Sequence, residues 1–188
     1  VHYATWAAKE WKEIHQKYFG KNFTENQLDF DLWERIYKIP DEEIWALKQN
    51  MRLKTIGYIK QRFTSTWIKR HENPKLISEV LGKLNPYALT IGFARRFATY
   101  KRAHLLFRNL DRLAKLVNDP ARPIQFIFAG KAHPADKAGQ DLIKHIIEIS
   151  KRPEFIGKIL FVQNYDMNLA KMMLQGVDIW MNTPTRPL

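Results

Sequence analysis

The sequence predicts an α/β fold: a Rossmann-like parallel sheet with helices on both faces, preceded by a mainly helical segment. Two observations carry this expectation. Residues 86–188 contain four short apolar runs, at 88–93, 123–129, 158–162 and 177–181, separated by segments with apolar residues at helical spacing. Such alternation of buried strands with amphipathic helices implies parallel pairing, because the crossover helices cover both faces. Residues 1–85 instead read as helical. The expected division is therefore 1–85, a helical entry segment, and 86–188, the part that carries the sheet.

Each element has its own signal. From Trp6 to Tyr18, apolar or aromatic residues fall at 7, 11, 14 and 18, a helical spacing, and Gly20 is a suitable stop. The polar stretch Lys21 to Asp31 reads as loop. Pro40-Asp41-Glu42-Glu43 opens a long helix, with acids at the positive end of its dipole. Ile44, Leu47, Met51, Ile59 and Phe63 continue its apolar stripe to an end near His71, before the breaker Asn73-Pro74. A short helix is expected over Lys75 to Lys83, with Asn85-Pro86 as boundary. Ala88 to Phe93 is the first strand. Thr99 to Val117 reads as one helix through Leu106, Leu110, Leu113 and Val117. Pro123 to Ala129 is the second strand. Pro134 to Ser150 is a helix with Ala138, Leu142, Ile146 and Ile149 on one face. Lys158 to Val162, Asp166 to Leu174 and Val177 to Met181 follow as strand, helix and strand. The chain begins at Val1 rather than Met and ends with Thr183 to Leu188 directly after a strand, so it reads as part of a longer protein.

Composition narrows the chemistry. Apolar residues make up 45% and charged residues 27%, an ordinary globular balance. The longest stretch without a charge runs from Leu84 to Ala94, too short to span a bilayer, and no leader peptide is recognisable. There is no Cys, which excludes disulfides, thiolate zinc sites and Cys nucleophiles and fits a cytoplasmic setting. The net charge of +12 invites a polyanion or a phosphate-bearing ligand. That charge is concentrated. Arg95, Arg96, Lys101, Arg102, Arg108, Arg112 and Lys115 stand against Asp111 alone between residues 95 and 115.

In an open parallel sheet, ligands lie outside the carboxyl ends of the strands. The first strand delivers Arg95 and Arg96 to such an end, and Lys101 falls in the first turn of the helix expected after it. Two guanidinium groups, an ammonium and helix-start N–H groups suit a phosphate dianion. Arg108, Arg112 and Lys115 lie deeper in that helix and read as a solvated face. The second strand ends in Gly130-Lys131, the third in Tyr165-Asp166 and the fourth in Asn182-Thr183-Pro184, all at one sheet edge. Gly130 equally suits a strand-to-helix turn, and Asp166 a helix cap. Other chemistries lack support. No Ser lies in a G-x-S-x-G elbow, the six His form no compact metal spacing, and neither G-x-G-x-x-G nor a P-loop occurs. No metal is expected.

The run Leu89-Thr90-Ile91-Gly92-Phe93-Ala94-Arg95-Arg96-Phe97-Ala98-Thr99-Tyr100-Lys101-Arg102-Ala103 closely resembles the α-glucan phosphorylases (glycogen, starch and maltodextrin), most of all their shorter bacterial and archaeal branch. Three further blocks follow in the family's order: Ala129-Gly130-Lys131-Ala132-His133-Pro134-Ala135-Asp136, Asn164-Tyr165-Asp166-Met167, and Gly176 to Pro184. Val1-His2 with Thr5-Trp6 resembles the entry to the family's C-terminal domain. The resemblance implies a GT-B glycosyltransferase whose active site lies between two Rossmann-like domains, this chain being part of the C-terminal one. It implies reversible phosphorolysis of a terminal α-1,4-linked glucose to glucose 1-phosphate, with pyridoxal phosphate as cofactor. The partners it implies are α-1,4-glucan, inorganic phosphate and glucose 1-phosphate, in a homo-oligomeric parent, with neither nucleic acid nor membrane. Arg96 and Lys101 match basic groups at the cofactor and substrate phosphates and take the catalytic role. Arg95 stands where other branches often carry Lys. Lys131 joins the phosphate-binding set, and Tyr165, Asp166 and Thr183 are placed beside the cofactor. Asp166 departs from the Arg of the animal and plant branch, and Ala98-Thr99 from its His-Glu. The block with the Schiff-base lysine is expected just after Leu188, so no lysine here takes that role and the chain alone is expected to be inactive. The alternatives are a nucleotide-sugar glycogen or starch synthase of the same fold, a basic nucleic-acid-binding module, and a noncatalytic interaction domain.

Overall fold

The computed structural model describes residues 2–186, and the readings made at Val1 and Leu188 lie outside them. The chain forms two compact units, residues 1–51 and 52–188.

The first unit contains α1 (Tyr3–Trp6), α2 (Lys9–Phe19), a 3-10 turn at Phe23–Glu25, α3 (Phe30–Glu34), a second 3-10 turn at Arg35–Lys38, and the start of α4 (Asp41–Lys69). The helix expected from Trp6 onward is split, because Ala7 and Ala8 are extended with ψ of 135° and 153°. Residues 21–31 are not all loop. Asp29 starts α3 by accepting from the N–H groups of Asp31 and Leu32, a side-chain cap that satisfies two orphan donors. The apolar faces close into two small clusters, one of Ala8, Ile14, Ile39, Leu47 and Met51, the other of Phe19, Phe23 and Leu32.

The second unit holds the rest of α4, α5 (Pro74–Lys83), β1 (Leu89–Ala94), α6 (Leu110–Val117), β2 (Ile124–Ala129), α7 (Lys137–Ser150), β3 (Ile159–Val162), α8 (Met167–Gly176) and β4 (Ile179–Trp180). The sheet order is β3-β2-β1-β4, and every pairing is parallel. This is a Rossmann-like α/β sheet. Its strand order reverses between β1 and β4, where such sheets leave a crevice at the carboxyl ends. Side chains alternate between the faces with period two. Phe93, Phe126, Phe128, Ile159 and Phe161 pack with residues of α6 and α7, while Ala94, Ile127, Ala129, Leu160 and Val162 pack with α4, α5 and α8. Burial on both faces explains why β2 and β3, and most of β1, appear in the sequence as apolar runs; β4 lies at the sheet edge with Ile179 exposed. Gly92 is tied to the same packing: a Cβ there would come within 2.9 Å of a Val177 methyl.

One expected element is corrected. The helix read from Thr99 to Val117 is two 3-10 turns, Thr99–Lys101 and Ala103–Arg108, followed by the eight-residue α6. Arg102 adopts a left-handed conformation (φ 48°, ψ 39°), which ends the first turn. Asn109 (φ −136°, ψ 90°) restarts the helix and accepts from the Arg112 N–H at 2.9 Å. No α-helix therefore begins beside Lys101; the turn that carries it is a three-residue 3-10 turn. α7 also begins at Lys137 rather than Pro134, with Asp136 capping the Gly139 N–H.

Candidate functional site

The carboxyl ends of β1 and β2 are locked together before any side chain is considered. The Phe97 N–H donates to the Lys131 carbonyl at 2.9 Å. Gly130 has φ of 152°, and a Cβ there would meet the Arg95 carbonyl oxygen at 2.1 Å and the Phe97 ring at 2.7 Å. Only glycine lets the two strand-end loops approach this closely. Phe97, fully buried between Phe93 and Phe161, anchors the β1 loop in the core. Arg95, Arg96 and Lys131 thus project from a fixed frame.

Arg96, Lys131, Ala132, His133, Pro134 and Tyr165 line one open concavity of about 360 Å³ at this edge. The Arg95 Nε is buried and has no hydrogen-bond partner among the described residues. Burial pushes the Tyr165 phenol above its ordinary value, and the positive charge of Arg95 partly opposes this. Lys101 joins the group through Tyr100. An Arg96 Nη2 faces the Tyr100 hydroxyl at 3.5 Å, and the Lys101 ammonium sits 4.7 Å from the centroid of the same ring. The hydrogen bond from Arg96, with the charges of Lys101 and Arg96, lowers the Tyr100 pKa. Four cations therefore gather around two phenols at one sheet edge.

Asp166 and Thr183 are held in hydrogen bonds that shape the loops of this edge. Asp166 caps α8 by accepting from the Leu169 N–H at 2.8 Å, and its other oxygen accepts from Arg62 at 2.8 Å. Those bonds hold its carboxyl below the usual carboxylate range, the backbone bond from Leu169 foremost. The Thr183 hydroxyl donates to the Lys101 carbonyl at 3.0 Å, and the Thr185 N–H donates to the Tyr100 carbonyl at 2.8 Å. Thr183 thus fastens the turn that carries Lys101. Arg102 reinforces it by donating to the carbonyls of Thr183 and Pro184 at 2.9 and 2.8 Å. Arg108, Arg112 and Lys115 are exposed. A more enclosed cavity of about 210 Å³ lies beside β3, lined by Phe63, Trp67, Leu160 and Gln163 among others; no residue predicted for the site lines it.

Over all 188 residues the chain is 44% identical to glycogen phosphorylase of Aquifex aeolicus (strain VF5), 43% to maltodextrin phosphorylase of Thermococcus litoralis and 35% to glycogen phosphorylase of Mycobacterium tuberculosis. The chain belongs to the glycogen and maltodextrin phosphorylase family. It spans only 27%, 22% and 21% of the lengths of those three relatives. No protein-family model matches it.

Two residues of this phosphorylase-family chain escaped the sequence reading. Arg62 lies 104 positions from its partner Asp166, on a helix whose sequence marks it as one more solvated charge. Tyr100 belongs to the block quoted for the resemblance, but nothing in its spacing says that two cations converge on its ring. Among the described residues no group of three His, Asp or Glu side chains could hold a metal ion, and no helix is long and apolar enough to cross a membrane.

Proposed function

We propose that this chain supplies the phosphate-binding part of an α-1,4-glucan phosphorylase, with Arg95, Arg96, Lys101 and Lys131 as its cationic rim. Residues 86–188 carry that rim, and residues 1–85 are the entry segment of the same domain. The observation that carries the reading is the meeting of Arg96 and Lys101 on Tyr100, at the carboxyl edge of a parallel sheet. The buried Arg95 Nε without a partner and the concavity between Arg96, Lys131 and Tyr165 fit the phosphate end of pyridoxal phosphate. When bound, that cofactor supplies a phosphate able to exchange a proton with the substrate phosphate. Arg95 and Lys131 would hold the cofactor phosphate, and Arg96 and Lys101 the incoming inorganic phosphate. Two phosphates held close together repel one another. Fixed cations in a partly dehydrated site offset that repulsion, and they stabilise the charge that develops as the glucosyl C1–O4 bond breaks and a C1–O bond to phosphate forms. Tyr165 would border the cofactor.

No lysine here matches the family's Schiff-base position, so residues 1–188 supplied with pyridoxal phosphate, phosphate and maltodextrin should release no glucose 1-phosphate. They should still bind orthophosphate, more weakly as salt rises. In titration calorimetry, Arg96→Ala and Lys101→Ala should each weaken that binding at least about tenfold, the loss expected for one charge-assisted contact. Unchanged affinity in both variants would remove the basis of the reading.

A further inference from the structure

Helix α4 delivers a guanidinium to this edge from outside the sheet. Arg62 Nε donates to the Gln163 carbonyl at 3.4 Å, and Nη2 donates to the Asn164 carbonyl and to Asp166 Oδ2, the latter at 2.8 Å. Its Nη1 donates to the Tyr58 hydroxyl at 3.0 Å, one turn back on the same helix, and the guanidinium carbon lies 6.0 Å from the Tyr58 ring centroid. Tyr58 thus preorients the fork before it reaches the loop. Three of the four acceptors lie within residues 163–166, the segment between β3 and α8 that carries Tyr165. Asn164 turns the chain in this segment through the left-handed region at φ 58°, a conformation asparagine adopts readily. A planar fork with five donors suits several carbonyls and a carboxylate at once, and an ammonium does not.

The second effect is electrostatic. Asp166 is the one acid in the block that follows β3, next to Tyr165 in the chain. Left unpaired, its charge would oppose an anion at a rim built from Arg95, Arg96 and Lys131. Here one carboxylate oxygen is used by the Leu169 N–H and the other by Arg62.

We infer that Arg62 is a positioning residue of the anion site: it holds the Tyr165 segment against the rim and cancels the charge of Asp166. The inference rests on the phosphate-binding reading, and its two halves separate experimentally. Orthophosphate binding to residues 1–188 is measured by calorimetry. Titration of Tyr165 is followed by NMR of ring-labelled tyrosine, with Tyr165→Phe for assignment. Arg62→Gln should weaken phosphate binding about five- to tenfold and should displace the Tyr165 titration from its wild-type position, as the segment loosens and the Asp166 charge beside the ring is uncovered. Arg62→Lys should recover much of the phosphate affinity, since a cation again faces Asp166, while the Tyr165 titration stays displaced for want of a fork. A folded Arg62→Gln chain with wild-type affinity and an unmoved Tyr165 would overturn the inference. If Arg62→Gln does not fold, Arg62→Lys decides, because an unmoved Tyr165 in that variant rejects the positioning role. If the unmutated chain binds no orthophosphate, the phosphate-binding reading fails. The Tyr165 titration then decides Arg62 alone: a shift retains its hold on the segment, and no shift rejects it.

Discussion

At the scale of single residues, His15 shows how surroundings reassign a side chain. Its ring lies among Tyr3, Trp11, Phe19, Phe23 and Trp33, stacked on Phe19 at 5.1 Å, and its Nδ1 lies 2.7 Å from the Tyr3 hydroxyl. Burial lowers its pKa, so the folded state resists protonation. The sign follows from linkage. The unfolded chain takes up the proton first, and stability present above about pH 6.5 declines as the pH falls toward the depressed folded value. Denaturant titrations of the chain from pH 7.5 to 5 should show that decline, and His15→Phe should flatten it. A gain in stability on acidification would mean that attraction between the imidazolium and the ring faces outweighs desolvation. The rim residues were legible in the sequence because parallel topology dictates where strand ends lie, so Arg95, Arg96, Lys131 and Tyr165 could be grouped in advance. Arg62 was not, since its acceptors are two backbone carbonyls, a carboxylate more than a hundred positions away and a tyrosine one turn back on its own helix.

At the scale of elements, the strands were the most legible and the stretch 99–117 the least. Leu106, Leu110, Leu113 and Val117 do keep a helical spacing, and Leu113 and Val117 are indeed buried. The break arises elsewhere. Arg102 is drawn out of the helical region while its side chain is held by the carbonyls of Thr183 and Pro184, some eighty residues on. A local pattern cannot register a tertiary hold of that kind. The restart at Asn109 is local and does carry a sequence signal, an N-cap type ahead of an amphipathic turn. Asn109→Ala should cost about 1 kcal/mol of stability, and Asn109→Asp should be nearly neutral, as read by thermal or urea unfolding. Equal losses in both would assign Asn109 a role other than the cap.

At the scale of the whole molecule, the sheet-bearing unit is tied to α4 by a buried ion pair as well as by apolar packing. Arg52 Nη2 meets Asp178 Oδ1 at 2.7 Å with the two side chains 5% and 13% exposed, and Asp178 Oδ2 accepts from the Thr90 N–H at 2.9 Å. Removing the carboxylate takes this counter-charge from Arg52, whose Nη1 still donates to the Pro86 carbonyl at 3.3 Å. Asp178→Ala should therefore destabilise the unit by about 3–5 kcal/mol in urea unfolding, far more than loss of the exposed Lys9–Glu13 pair. Similar effects from the two would show that water reaches Arg52. The two-faced packing of the sheet has a quieter result. On the face shared with α4, three strands finish in small residues, Ala94, Ala129 and Val162, whereas the opposite face is filled with phenylalanine rings. Slight side chains leave less bulk at that rim than rings would, and it is on this side that Arg62 of the helix reaches the loop after β3.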